Sequence, residues 1–331
     1  MSDLSETIAL FDKSFDAVLR GDRPRSIAVA VSGGPDSMAL LWMLSHRGQT
    51  DGFSILAYTV DHGLRAESAE EAAQVGEWVK SWHRVDHHIL RWEGEKPDSR
   101  ILEAARAARY GLMTDDMKRR DIAHLFVAHQ QDDQAETFLI RLTKGSGLDG
   151  LAGMRPVSEL NGVRLLRPLL DIPKSELLLL CQRNNIPYVN DPTNENTDYM
   201  RPRLRATQEV LEQEGLSAKR LATTARRLAR AKAALEDLSH ELFVRACVEE
   251  QEEGFLFDYR LLKGAQEELV LRVMQTAMDV LRPDADYAPR MERQEQLLER
   301  ILRDGVFKSA TLGGCLFALD RKNETLWIGK E

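Results

Sequence analysis

Residues 28–41 read AVAVSGGPDSMALL, so four small apolar residues run into Ser32-Gly33-Gly34-Pro35-Asp36-Ser37 and a helical apolar pattern follows at once. Few structures need two serines, two glycines and an aspartate between a buried strand and a buried helix. Glycines let the backbone turn sharply and approach a ligand closely. A helix start offers N–H groups without intrahelical partners and a partial positive charge. Ser32 and Ser37 add hydroxyl donors. The stretch predicts an anion cradle suited to phosphate. Asp36 fits there if a cation such as Mg²⁺ links it to the phosphate. The plainer alternative is a turn in which Asp36 or Ser37 caps the helix. The loop lacks the Gly-Lys-Ser/Thr ending of a Walker A motif and is not a GxGxxG loop.

The surrounding pattern alternates strand and helix. Short β-rich runs at 27–31, 54–60, 87–90 and 123–128 are separated by helical stretches at 37–45, 67–82, 100–118 and 133–142. This order predicts an α/β fold, a parallel sheet with helices on both faces. Ligands in such folds bind beyond the carboxyl ends of the strands. Asn161-Gly162 signals a hairpin, Pro173 starts a helix over 174–184, and Gly215 interrupts the next helical region. We place a domain boundary near 215, giving units 1–215 and 216–331. A long helix over 218–250 leads into a smaller, mainly helical unit with helices at 266–281 and 290–304. Val270, Val273, Met274, Ala277, Met278 and Leu281 form one apolar face of the first of these. The unit ends in short strands that turn at Gly313-Gly314 and Lys322-Asn323.

Composition bounds the function classes. The 331 residues are 43% hydrophobic and 30% charged, as in a globular protein, and no apolar run is long enough to span a membrane. The acidic, amphipathic N-terminus lacks the basic start and apolar block of a signal peptide. Cys181, Cys247 and Cys315 form no CxxC pair, which suits a reducing cytoplasm. The net charge of −8 speaks against a nucleic-acid partner, yet residues 200–232 carry nine Lys/Arg against three Glu, a local +6. A basic stripe on an acidic body still binds phosphates, because screening confines its field to about 8–10 Å.

SGGPDS resembles the SGGxDS signature of the N-type ATP pyrophosphatases, or PP-loop enzymes. That resemblance implies an adenine nucleotide alpha hydrolase-like fold, with Ser32, Gly33, Gly34, Pro35, Asp36 and Ser37 holding the pyrophosphate of ATP. Further stretches are more specific: TVDHGLR (59–65), EAARAARYGLM (103–113), AHQQDDQAETFLIRLTKGSGLDGLAGM (128–154), RPLL (167–170) and DPTNENTDYMRPRLR (191–205). Their order is similar to that of the tRNA(Ile)-lysidine synthase family, closely over 25–205 and more loosely beyond.

The resemblance implies a reaction. ATP adenylates the C2 oxygen of the wobble cytidine in isoleucine tRNA with anticodon CAU. The ε-amine of free L-lysine then displaces AMP, and the lysidine produced pairs with A rather than G. It further implies Asp61 and His62 as ATP-binding, Asp36 as a catalytic and Mg²⁺-binding residue, and Asp133 and Glu136 as contacts for lysine or the activated base. Arg106 and Arg109 would hold phosphate or the cytosine carbonyl. Arg201, Arg203, Arg205, Arg226, Arg227 and Arg230 would bind tRNA. A homodimer is compatible with the family, and the chain has room for one accessory unit. The pattern departs at Gln130, where the family carries a second histidine, and at Pro202, where it carries Asn.

The residues alone leave alternatives open. Asp132, Asp133 and Glu136 suit an acidic first helical turn, Arg106 and Arg109 a solvated helix face, and His62 and His129 strand-end turns. Trp78 and Trp82, at helical spacing, read as core. A tRNA thiolase, a small-molecule ligase and a nucleotide sensor share the loop. A thiolase would use paired cysteines, an amidotransferase would need an ammonia source, and a sensor would have no use for Asp36, Asp133 and Glu136.

Overall fold

β1 (Ser26–Ala30) forms because its alternate residues bury on opposite faces of a sheet. Ile27 and Val29 enter one apolar cluster and Ala28 enters another. The computed structural model describes residues 4–64, 67–94, 96–97, 99–189, 200–283 and 289–331, with the side chains of Leu102, Arg201 and Pro202 outside that set. The chain divides into two compact units, Met1–Ala229 and Arg230–Glu331.

The first unit starts with α1 (Leu4–Leu19), β1, α2 (Pro35–Asp51), β2 (Ser54–Asp61), α3 (Ser68–Val79) and β3 (Val85–Arg91). It continues through α4 (Ile101–Arg119), β4 (His124–Phe126), α5 (Gln131–Thr143), α6 (Leu148–Leu151), β5 (Val157–Leu160) and β6 (Val163–Leu166). The helices α7 (Lys174–Arg183), α8 (Met200–Ala206), α9 (Gln208–Gln213) and the start of α10 (Ala218–Ala246) complete it.

The sheet order is β3-β2-β1-β4-β6-β5. All neighbours are parallel except the β5–β6 hairpin, whose turn is the Asn161-Gly162 pair, both at positive φ. Chain order reverses between β1 and β4, so their carboxyl ends bound a crevice at the topological switch point. One face is covered by α1, α2, α3 and α7, through residues such as Phe11, Phe15, Met38, Val75 and Leu177. Trp78 and Trp82 pack against this core, as expected. Tyr110, Met113 and Met117 of α4 cover the other face. The Tyr58 hydroxyl, on β2, donates to Asp116 of α4 at 2.7 Å, and Arg119 and Arg120 pair with the same carboxylate. This network pins the helix that carries Arg106 and Arg109.

The second unit corrects the expected organisation. α10 stops at Ala246, not 250, and β7 (Cys247–Gln251) and β8 (Gly254–Asp258) follow. After α11 (Tyr259–Lys263), α12 (Glu267–Leu281) and α13 (Met291–Arg303) come β9 (Ser309–Leu312), β10 (Cys315–Asp320) and β11 (Thr325–Lys330). All five strands form one antiparallel sheet, β7-β8-β11-β10-β9. The glutamate-rich 249–253 stretch reads locally as helix, but β8 pairs with β11 deep in the core and carries β7 as an edge. Val270, Val273, Met274, Ala277, Met278 and Leu281 are buried together on α12, as their spacing predicts.

The boundary also moves, from 215 to 229. Leu221 and Ala225 of α10 are buried against Ala135 and Phe138 of α5, with Ala218 and Leu228 beside them. This stretch is therefore packed structure of the first unit. Leu221→Ala is expected to destabilise that unit by about 2–5 kcal/mol in urea unfolding, with faster amide exchange in α5. A solvated connector would change stability by less than about 0.5 kcal/mol.

Candidate functional site

The loop after β1 is built by backbone geometry. Gly33 adopts φ +83°, and a Cβ there would strain the backbone and lie 3.0 Å from Val75. Its carbonyl accepts from the Val189 N–H at 2.8 Å. Gly34, not Asp36 or Ser37, occupies the N-cap position, with Pro35 opening the first turn of α2. The Ser37 hydroxyl donates to the Gly34 carbonyl at 2.9 Å and lies 3.3 Å from the Ser32 hydroxyl. The Ser32 N–H donates to Ser37 Oγ at 3.2 Å. Two hydroxyls and a helix N-terminus thus converge on the crevice, as phosphate requires.

Asp36 stands in the first turn of α2 without a capping role. Its Oδ1 is buried and has no hydrogen-bond partner among the described residues. Burial pushes its carboxyl up to about 6; Asp133 and Asp132 add to that, while Lys174 and the Gln130 side chain oppose it. Lys174 and Gln130 were not singled out as site residues by the sequence. Gln130 is buried and caps α5, its Oε1 accepting from Asp132 N–H while Asp133 Oδ2 accepts from Gln130 N–H at 3.1 Å. The position that departs from the family pattern is thus a helix cap beside Asp36. Asp132 is also engaged, accepting from the Lys174 backbone N–H at 3.0 Å.

Glu136, one turn further along α5, is nearly buried. Arg205 of α8 donates to both its oxygens, at 2.5 and 3.4 Å, and lies 4.0 Å from Asp133 Oδ1. Burial weakens the Arg205 charge, but the Glu136 hydrogen bond and the Glu136, Asp133 and Asp36 charges outweigh it and raise its pKa. Arg205, expected at a tRNA surface, is thus part of the carboxylate group. An orphaned, buried carboxylate oxygen among acids suits a hard cation such as Mg²⁺. No group of three or more His, Cys, Asp or Glu among the described residues is placed to hold a metal ion. Phosphate and water oxygens would complete the shell, as is usual for Mg²⁺.

Arginines gather elsewhere on the same edge. Arg106 and Arg109 lie over the Tyr110 ring, 5.2 and 5.4 Å from its centroid. Burial lowers the pKa of Arg109, and Arg109 in turn adds to the burial that lowers His62. His62 follows β2 and meets the Trp92 ring edge-on at 6.3 Å. Asp61 instead holds its own loop: its Oδ1 accepts from the Ser68 hydroxyl at 2.5 Å and from Gly63 N–H at 2.9 Å. Those bonds, Ser68 first, lower its pKa against its burial.

The basic stretch is accessible. Arg203, Arg226, Arg227 and Arg230 are exposed, and Arg226 pairs with Asp171 at 2.8 Å. Arg65, the 191–199 stretch and the Arg201 side chain lie outside the described residues. Cys181 is buried, its thiol against the Pro35 carbonyl. No helix among the described residues is long and apolar enough to cross a membrane.

Comparison with known proteins adds an independent line. The sequence model of a PP-loop domain family matches residues 8–214. A protein from a Bradyrhizobium strain named tRNA(Ile)-lysidine synthase is 41% identical over 298 residues, covering 87% of this chain and 82% of its own. One of the same name from Methylobacterium nodulans is 39% identical over 317 residues, covering 93% and 92%. Among solved structures, the U34-tRNA thiolase NcsA from Methanococcus maripaludis shares the fold, with a TM-score of 0.54 and 18% identity over 67% of this chain and 80% of its own.

The raised Asp36 predicts a pH signature. A carboxyl whose folded pKa of about 6 exceeds its unfolded value binds more protons when folded, so it costs stability as pH rises from about 4 to 6. Asp36→Asn is expected to melt higher than the wild type at pH 7.5, by on the order of 3 kcal/mol at most, with the gap closing below about pH 4. An Asn variant less stable at pH 7.5 would refute the buried-charge assignment.

Proposed function

We infer the reaction from one premise: the chain belongs to the PP-loop domain family and, within it, to the tRNA(Ile)-lysidine synthases. It is an ATP-using ligase that forms lysidine in isoleucine tRNA. The observation that carries the site assignment is the meeting of Asp36, Asp133 and Glu136, from two different strand ends, beside the Ser32–Ser37 loop.

The proposed course has two steps. ATP lies with its β,γ-phosphates in the loop, where the α2 N-terminus, Ser32 and Ser37 hold the leaving pyrophosphate and stabilise the charge that develops on it. Asp36 would hold Mg²⁺, which neutralises phosphate charge when bound. The C2 oxygen of the wobble cytidine of the CAU anticodon attacks the α-phosphate, and pyrophosphate departs. The ε-amine of free lysine then attacks C2; the C–N bond forms, the C2–O bond breaks and AMP leaves.

Asp133 and Glu136 suit the lysine step. They already hold one organic cation, the Arg205 guanidinium, at 4.0 and 2.5 Å. An incoming ammonium is held by the same charge, and a carboxylate can accept the proton it must lose to become a nucleophile. Arg106 and Arg109 supply positive charge to the activated group. Arg203, Arg226, Arg227 and Arg230 supply exposed positive charge for tRNA, with the Met1–Ala229 unit carrying catalysis and the Arg230–Glu331 unit accessory binding. A homodimer is compatible with this reading.

Labelled lysine is expected to enter an isoleucine tRNA transcript with anticodon CAU and not one with U at the wobble position, with AMP and pyrophosphate released. Asp36→Ala should lose both pyrophosphate release and label. Glu136→Gln should keep tRNA-dependent pyrophosphate release and lose at least 100-fold in label incorporation. Unchanged incorporation by Glu136→Gln would remove it from the lysine step. Arg227→Glu with Arg230→Glu is expected to weaken tRNA binding and flatten its salt dependence, read by filter binding across NaCl concentrations. Equal affinity and slope would place tRNA elsewhere.

A further inference from the structure

Arg167 directly follows β6, whose parallel pairing with β4 puts it at the carboxyl edge of the sheet. Its Nη1 donates to the Arg155 carbonyl at 2.8 Å and to the Ser158 hydroxyl at 3.0 Å, both uncharged acceptors. Its Nε is buried and has no partner among the described residues. Arg106 and Arg109 reach the same place from α4, over the Tyr110 ring. Arg167 and Arg109 each lie close enough to Tyr110 and to Arg106 for their charges to interact. Among the described residues, none of the three arginines forms an ion pair with a carboxylate.

Guanidinium groups stay charged even when desolvated. Arg106 and Arg109 lie over one ring and Arg167 is near enough to feel Arg106; burial first, and Arg106 against the opposing Tyr110, lower the pKa of Arg109 and Arg167, and no carboxylate among the described residues offsets the charge. Arginine pairs best with carboxylates, phosphates and helix C-termini; Arg167 has two uncharged acceptors and one idle, buried N–H. Its planar donors match the oxygens of a phosphate. Asp36, Asp132, Asp133 and Glu136 stand on α2 and α5 and Asp61 is tied to its own loop, so an anion that does not occupy the Ser32–Ser37 loop finds positive charge here.

We propose that Arg167, with Arg106 and Arg109, forms a second phosphate site on this edge and holds a backbone phosphate of the RNA beside the reacting base. The proposal rests on the reading above. ATP occupies the loop after β1, and presenting a base to its α-phosphate needs an anchor for the flanking RNA backbone. The chemistry recognised is a phosphate group, and RNA and ATP are its two sources.

The test compares the wild type with Arg167→Gln and Arg167→Lys in the full chain. ATP binding without RNA, binding of the isoleucine tRNA transcript at several NaCl concentrations, and the melting shift caused by inorganic phosphate at constant ionic strength are measured. Arg167→Gln is expected to raise the RNA Kd about 10-fold and to lower the salt slope by about one, with ATP binding unchanged and part of the phosphate shift lost. Arg167→Lys keeps the slope and recovers part of the affinity. An ATP Kd raised instead of the RNA Kd keeps the phosphate site and assigns it to ATP. Unchanged ATP and RNA affinities, salt slope and phosphate shift in Arg167→Gln would overturn the site. If wild-type protein incorporates no lysine while its phosphate shift still exceeds that of Arg167→Gln, the site stands and the lysidine reading falls.

Discussion

Asp36 is a carboxylate kept from water at the start of α2, and its neighbours are arranged around that. Burial costs it charge, Asp132 and Asp133 cost it more, and Lys174 and Gln130 return part. Such a group is stable only where the surrounding fold holds it. The hold comes from a helix N-terminus set by Gly33, Gly34 and Pro35, and from the capped start of α5 across the crevice. Both lie where parallel strands β1 and β4 end side by side.

Charge is partitioned along the sheet edge. Acids stand at the starts of α2 and α5, with Lys174 and Arg205 among them. Arginines stand on α4 and after β6, around Tyr110. The two kinds of surface suit different ligands: arginines suit phosphates, and carboxylates suit cations. α4 is pinned by the buried Tyr58–Asp116 bond, so its arginines are presented by a rigid element. Preorganised charge of this sort needs little rearrangement during reaction.

Arg205 shows how a residue read as surface can serve the interior. It belongs to a basic stretch that is otherwise exposed, yet it reaches Glu136 and the vicinity of Asp133. Two neighbouring carboxylates in a partly dry place need a cation, and Arg205 of α8 supplies it. Gln130 plays a comparable part: where the family carries histidine, an amide donates and accepts at once, capping α5 while contacting Asp36.

Local chemistry made much of this legible in the sequence. Strand–SGGPDS–helix predicted a tight glycine loop opening a helix, alternating strands and helices the parallel sheet, Asn161-Gly162 a hairpin, and the apolar spacing on 267–281 the buried face of α12. Each is a short-range rule, set by φ preference, periodicity or turn geometry. The strands at 247–258, the extension of the first unit to 229, the Arg205–Glu136 pair and the gathering of Arg167 with Arg106 and Arg109 depend on partners far away in the chain. A glutamate-rich stretch becomes a strand because β8 offers it a free edge. An arginine becomes part of a site because another segment brings a charge or a ring within a few ångströms. The sequence determined what each segment prefers by itself; tertiary structure decided which charges share the same dry space, because Coulomb and desolvation energies depend on distances that only the folded chain sets.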